Sequence, residues 1–436
     1  MRAIFVARAA GTLRGWRSPQ HRDGLALILS SAITSVLGLL FWLVAARLYD
    51  PVTVGLNSTL LATMTLLGTI AQLNLGNALL RFVPVAGRGT RRLVALCYLV
   101  AVAAATLAGG AFALGAPWWA PELITAFGPA EVLAFFTVAT PLWTMFVMQD
   151  YLLPAIKRAA AVPVENLLFS VLKLLFLAGA AALGLWSGIA ASWLAGTAVT
   201  VLAVTVWLVR VLPRRDVVDR VAAPPTSAST SAVTVRDVAT FVRADYAGIV
   251  FLLAAVFGLP LVVLARLGAE AAAVYNVVWP IAYALYLVVN GMGQSLVVHA
   301  AAEPDTLEVA RRAMVGKALV IVVPAVLACA VLAQPLLSLF GTHYAGTGSL
   351  LLVLLALSAI PNSVNWSFVW AARVRGDGRV LFGLPASVTV AVIAGSWVLM
   401  PVMGVLATGV AWLAAQSVAA VGVLLVHAHH RARRAD

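Results

Sequence analysis

Stretches of about twenty apolar residues, long enough to cross a hydrocarbon core of about 30 Å, recur from one end of this chain to the other. Twelve can be placed, at 24–46, 52–73, 93–116, 131–152, 164–186, 188–210, 242–264, 271–297, 313–339, 347–371, 380–400 and 403–427. A large soluble helical protein would need long polar faces between such segments, and they are absent. Only 10% of the residues are charged and the mean hydropathy is +1.01, whereas a soluble domain carries about 25% charged residues. The pattern predicts an all-α polytopic membrane protein of about twelve transmembrane helices.

Twelve spans put both termini on one side of the membrane. The segments on that side, with Arg210, Arg243 and Lys317 just inside the adjoining spans, hold 26 of the 29 Lys and Arg residues. The opposite side holds Arg47 and Arg266 beside Asp50, Glu122, Glu131 and Glu270, and Lys173 lies within a span. Basic residues accumulate on the cytoplasmic side of membrane proteins, so both termini are expected in the cytoplasm. The net charge of +13 then reports topology, and no nucleic-acid partner is expected.

The chain also repeats itself. The tripeptide Ala46–Leu48 recurs as Ala265–Leu267, Asn57 recurs as Asn276 and Trp193 as Trp412, each after 219 residues; Pro141 and Pro361 lie 220 apart. Arg, Asn, Pro and Trp are uncommon here, so their matches carry more weight than those of Ala or Leu. Repeated bundles that share a midplane cavity are a common build of secondary transporters. The expected organisation is a basic N-terminal segment (1–23), a first six-helix lobe (24–212), a Pro-, Ser- and Thr-rich cytoplasmic linker (213–237), a second lobe (238–427) and a short tail (428–436). The N-terminal segment lacks the apolar run of a cleavable signal peptide, and Cys97 and Cys329 fall within spans, so no disulfide framework is indicated.

Motifs for chemistry are few. The sequons at Asn57 and Asn365 lie inside spans, and the glycine pairs at Gly87–Gly89 and Gly291–Gly293 lack the strand–turn–helix setting of a nucleotide loop. His427–Arg431 reads as an interfacial tail rather than a metal site. No catalytic triad or carboxylate pair can be placed, so neither an enzyme nor a cofactor or metal is expected.

Polar residues inside apolar spans are where function is sought in such chains. Asn74, Asn77 and Arg81 share one helical face, as do Asn276, Tyr283, Asn290 and Gln294; Ser358, Asn362 and Asn365 form a third stripe beside Pro361. Each stripe is read as cavity lining, with interhelical bonding as the alternative. Lys173, about 13 Å into its span at 1.5 Å per residue, should face water, a partner or substrate. Arg243 and Asp245 are two apart and point to different faces.

Four segments then carry a resemblance. ARLYDPVTVG (46–55) with NLGNALLRFVP (74–84), and LLSLFGTHYAGTGSLLLVLLALSAIPN (336–362), resemble signatures of bacterial polysaccharide flippases. So does GAEAAAVYNVVWPIAYAL (268–285). These proteins belong to the multidrug/oligosaccharidyl-lipid/polysaccharide exporter superfamily. The resemblance implies two six-helix lobes around a central cationic cavity and alternating access in a bacterial inner membrane. It implies a lipid-linked glycan as substrate, membrane lipids as surroundings, and a polysaccharide polymerase or glycosyltransferases as partners. Where family members often carry an acidic residue in the seventh span, this chain has FGLPLVVLARLG. Two other classes are weighed: a cation-coupled small-molecule exporter of the same superfamily and a membrane glycosyltransferase. The first would favour mid-span acids in the first half, where Asp150 and Glu165 sit near span ends. The second would need carboxylates in the first outer loop, where Asp50 stands alone.

Overall fold

A computed structural model describes residues 36–222, 235–300, 307–375 and 377–435, and all regular structure among them is helical. The segment 1–23, the start of the first span, residues 223–234 of the linker and residues 301–306 lie outside the described residues. Ten helices are long and apolar enough to cross a membrane, and the shorter apolar helices Val36–Leu48 and Leu253–Leu267 bring the match with the twelve predicted spans to one for one.

The helices are α1 (Val36–Leu48), α2 (Pro51–Ala71), α3 (Leu75–Phe82), α4 (Thr90–Trp119), α5 (Pro121–Phe127), α6 (Pro129–Ala155), α7 (Ala161–Ala182) and α8 (Gly188–Ala222). They continue as α9 (Val235–Leu267), α10 (Ala269–Ala300), α11 (Leu307–Ser338), α12 (Thr342–Leu357), α13 (Ala359–Arg375), α14 (Gly378–Met403) and α15 (Leu406–Ala435). Residues 213–222, expected in the linker, continue α8 as helix. Several helices keep a proline in their interior, among them Pro141 in α6, Pro260 in α9 and Pro280 in α10. In a membrane protein such helices survive because neighbouring groups satisfy the carbonyl that proline leaves bare. Gly268 turns α9 directly into α10 at φ +83°, a conformation costly for any residue with a Cβ.

Packing divides the chain into two compact units that do not follow chain order. The first takes Met1–Trp42, Ala71–Thr106 and Pro141–Val242; the second takes Leu43–Ile70, Leu107–Thr140 and Arg243–Asp436. Helices α1, α4, α6 and α9 are each shared, one end in either unit. The lobes at 24–212 and 238–427 remain a reading of the repeat.

In the first unit, Leu75 and Leu79 of α3 pack with Cys97 and Ala101 of α4, Met148 and Leu152 of α6 and Leu208 of α8. A second cluster joins Phe146, Phe169 and Val201 to Trp143 and Trp193. Between α2 and α3 the backbone turns at Leu73 and Asn74, both left-handed at φ +52° and +58°. Asn tolerates that conformation through local hydrogen bonding, and here Asn77 Nδ2 donates to Asn74 Oδ1 at 2.6 Å.

In the second unit, α2 begins with Asp50 as its cap: Oδ1 accepts from Thr53 N at 3.0 Å and Oδ2 from Thr53 Oγ1 at 2.6 Å. Five residues on, Gly55 meets the start of α10 so closely that a Cβ there would lie 1.8 Å from Ala269 O. Small residues let membrane helices approach in this way. Arg47 closes the far end of α11, donating to Leu339 O at 2.6 Å and Ser338 O at 3.1 Å. These carbonyls are the orphan acceptors of a helix C-terminus, where a cation is also favoured by the dipole.

Candidate functional site

Lys173 anchors the polar chemistry of the first unit. It lies on the buried face of α7 with Glu165, Phe169, Leu177 and Ala180. Its Nζ stands 4.2 Å from the centroid of the Trp193 ring, 4.7 Å from Phe169 and 5.1 Å from Phe41. The Trp193 ring is edge-on to both phenylalanines. Gly196 lets α8 come close to the lysine: a Cβ there would lie 3.2 Å from Lys173 N. A lysine at the bilayer centre costs on the order of 2.5–3.5 kcal/mol on insertion scales. Each ring face returns about 0.5–2 kcal/mol, so three rings can hold the ammonium without a carboxylate. No ion pair to Lys173 occurs among the described residues. Ring faces compensate charge, yet they do not saturate three N–H donors. Those donors suit an oxygen anion.

Two turns earlier on the same face, Glu165 is 1% exposed and neither of its carboxylate oxygens has a hydrogen-bond partner among the described residues. Asp150 of α6 lies within electrostatic reach of it and accepts from Asn166 Nδ2 at 3.2 Å. The sequence places both acids near span ends; folding buries Glu165 all the same, because its face of α7 points into the unit.

The second unit holds a ladder of amides and rings. Asn276 Nδ2 donates to Ser58 Oγ at 2.8 Å. Pro280, four residues on, has no N–H for the Asn276 carbonyl, so this level of α10 is polar in backbone and side chain alike. Above it Tyr275, Trp279 and Trp412 stack, with 5.9 and 4.9 Å between successive centroids. Tyr283 joins Trp279 at 5.6 Å, and Tyr286 hydrogen-bonds Ser358. Asn365 Nδ2 donates to Gln416 Oε1 at 2.7 Å, and Gln416 Nε2 donates to Asn362 Oδ1 at 3.1 Å. Asn365, Trp412 and Gln416 line a cavity of ≈ 30 Å³ with Thr389, room for about one water molecule.

No protein-family model and no curated protein matches the chain. Solved structures do. The lipid II flippase MurJ in an inward closed conformation aligns with a TM-score of 0.65 at 10% identity, over 91% of this chain and 86% of that one. An inward-facing multidrug resistance MATE family transporter of the MOP superfamily aligns at 0.64 with 16% identity, over 94% and 98%. A point mutant of the Vibrio cholerae MATE transporter VcmN aligns at 0.55 with 17% identity, over 95% and 98%.

The fold is the one these solved transporters share.

On this fold the residues singled out in the sequence separate by unit. Asn74, Asn77, Arg81 and Lys173 belong to the first, and Arg243, Asp245, Asn276, Tyr283, Asn290, Gln294, Asn362 and Asn365 to the second. Asn74 and Asn77 bond to each other; Asn362 and Asn365 meet through Gln416. Arg81 is exposed, its guanidinium 5.4 Å from the Phe82 centroid, and Asn290 is half-buried. Arg243, Asp245 and Gln294 are helical, and their side chains lie outside the described residues. Sequence reasoning missed Gln416, the Lys173 cage and an ionic knot on the second unit. There Glu308 faces Arg311 at 3.0 Å, Arg375 at 3.2 Å and His427 at 3.5 Å, joining α11, α13 and α15. The recurring Trp193 and Trp412 were the available signal: one stacks on Lys173, the other on Trp279.

Proposed function

We propose that this protein is a flippase that moves a lipid-linked oligosaccharide or polysaccharide precursor across a bacterial inner membrane by alternating access, with both termini cytoplasmic. The observation that carries this reading is Lys173, a buried cation balanced by aromatic faces and still able to donate to an oxygen anion. A phosphate-bearing headgroup cannot cross hydrocarbon unaided. An ammonium with free N–H donors replaces part of its hydration through charge-assisted hydrogen bonds. At 4% exposure Lys173 meets such a group only in a state that opens this face, which alternating access supplies. Arg81, in the same unit and exposed, offers a further cation. The MurJ likeness supports a lipid-linked substrate; the MATE likeness supports a small one.

Glu165 favours a second reading, a cation-coupled small-molecule exporter. A buried carboxylate without a partner is costly as an anion, and it can carry a proton or take a cation as counter-charge. Reconstituted vesicles separate the two. The flippase reading expects an undecaprenyl-linked oligosaccharide loaded in the inner leaflet to become accessible to an external glycosidase. It expects no uptake of a fluorescent organic cation under an imposed pH gradient. Cation uptake that Glu165→Gln abolishes, with no glycan movement, establishes the exporter instead.

A further inference from the structure

The two repeat-related arginines do different work. Arg47 is spent on the carbonyls that end α11. Its counterpart Arg266, at the end of α9, has its guanidinium carbon 4.1 Å from the centroid of the Trp397 ring and is exposed. No ion pair to Arg266 occurs among the described residues. Below this pair, within the second unit, α9 and α14 stand apart. Thr389 Oγ1 holds them together by donating to Phe251 O at 2.9 Å, and the Phe251 and Phe382 rings meet edge-on at 5.3 Å. Between these fastenings and Trp397 runs a groove of ≈ 420 Å³, walled by Phe251, Ala254, Ile393, Ala394 and Trp397. Thr389 to Trp397 is eight residues of helix, about 12 Å at 1.5 Å per residue. Val390 at 58% and Val398 at 70% exposure mark its open side.

The open side of the groove is apolar, the kind of surface that hydrocarbon covers. An empty gap between the helices would forfeit dispersion contacts along both walls. Water gains nothing there, because the walls offer almost no polar atoms. An alkyl chain fills it without loss, and a chain in the groove puts its headgroup beside the exposed guanidinium of Arg266. Arginine binds phosphate through paired N–H donors, and its other face is already held by Trp397. We propose that the α9–α14 groove is a binding site for an anionic phospholipid, one acyl chain along the groove and the phosphate on Arg266. The site stands whatever the transported substrate is.

Native mass spectrometry of the purified full chain, offered phosphatidylglycerol or phosphatidylcholine, tests it. Wild type should retain phosphatidylglycerol over phosphatidylcholine by about fivefold, the size of one interfacial cation contact. Arg266→Gln should erase that preference and Arg266→Lys should keep part of it. Ala394→Phe, which fills the groove and leaves the arginine, should retain neither lipid; Ala254→Leu serves if that variant does not fold. Undiminished phosphatidylglycerol retention in both the Arg266→Gln and the groove-filled proteins overturns the site. Stronger retention of a polyprenyl phosphate than of phosphatidylglycerol overturns the diacyl assignment. A wild-type dimer that the groove-filling change dissociates gives the groove to a second copy instead.

Discussion

Asn276 donates to Ser58 Oγ across 2.8 Å, although 218 residues of chain separate them. Asn276 is the repeat counterpart of Asn57, which sits one residue from that serine and is itself fully buried, donating to Thr53 O at 3.0 Å. The repeat-related helices α2 and α10 therefore meet along their polar positions inside the second unit. Such bonds between membrane helices are worth about 0.6 kcal/mol on average and up to about 1.7. Asn276→Leu should lower the thermal stability of the solubilised protein by that order and leave transport per folded molecule intact. Normal stability with lost transport would move Asn276 into the substrate path. Asn290, half-buried on the same helix, is the contrasting test: Asn290→Leu should impair transport at near-normal membrane abundance.

The closeness of α2 and α10 makes a sharper demand at Gly55. A methyl group there would collide with the backbone carbonyl of Ala269, which cannot rotate away as a side chain can. Overpacking of this kind costs about 1–3 kcal/mol. Gly55→Ala should reduce membrane abundance and melting temperature. Gly258→Ala, whose new atom meets only Leu66 Cδ2 at 3.7 Å, should change neither.

Asp50 gives a pH dependence with a definite sign. Slight burial pushes its carboxyl upward, but the Thr53 hydroxyl and backbone N–H outweigh that and hold it below the ordinary carboxylate value. A group with a depressed folded-state value stabilises the fold above its unfolded value near pH 4, and the contribution fades as pH falls through the folded value. Asp50→Ala should therefore cost stability at pH 7, about 1 kcal/mol for a lost helix cap. The gap between variant and wild type should close below pH 4 in thermal unfolding of the solubilised protein. A gap that persists there would assign the loss to packing.

The membrane class and the number of spans were legible because hydrocarbon imposes a length and a composition on every crossing. The 219-residue offset was legible because Asn57, Asn276, Trp193 and Trp412 are rare residue types in this chain. The partners of these residues were not. Gln416 lies about fifty residues beyond the asparagines it joins, and no periodicity links different helices. Lys173 stood out by its charge alone, but its cage draws Phe41 from α1 and Trp193 from α8, a meeting that only packing decides. Glu165 was set aside because distance along the chain stood in for burial. Helix rotation, which no span boundary reveals, turned it inward.

Lys173 carries the central claim, and one measurement reaches it most directly. Movement of lipid-linked glycan to the outer leaflet, normalised to protein in the membrane, is compared among wild type, Lys173→Arg and Lys173→Gln. Glutamine keeps much of the length and removes the charge; arginine keeps the charge and changes the donor geometry. The account predicts that glutamine lowers transport about tenfold or more, the size of one lost contact to a charged group, at comparable protein levels. Arginine should retain a substantial part. Transport by the glutamine variant equal to wild type would reduce Lys173 to a lysine that merely fills its aromatic cage, and would contradict the account.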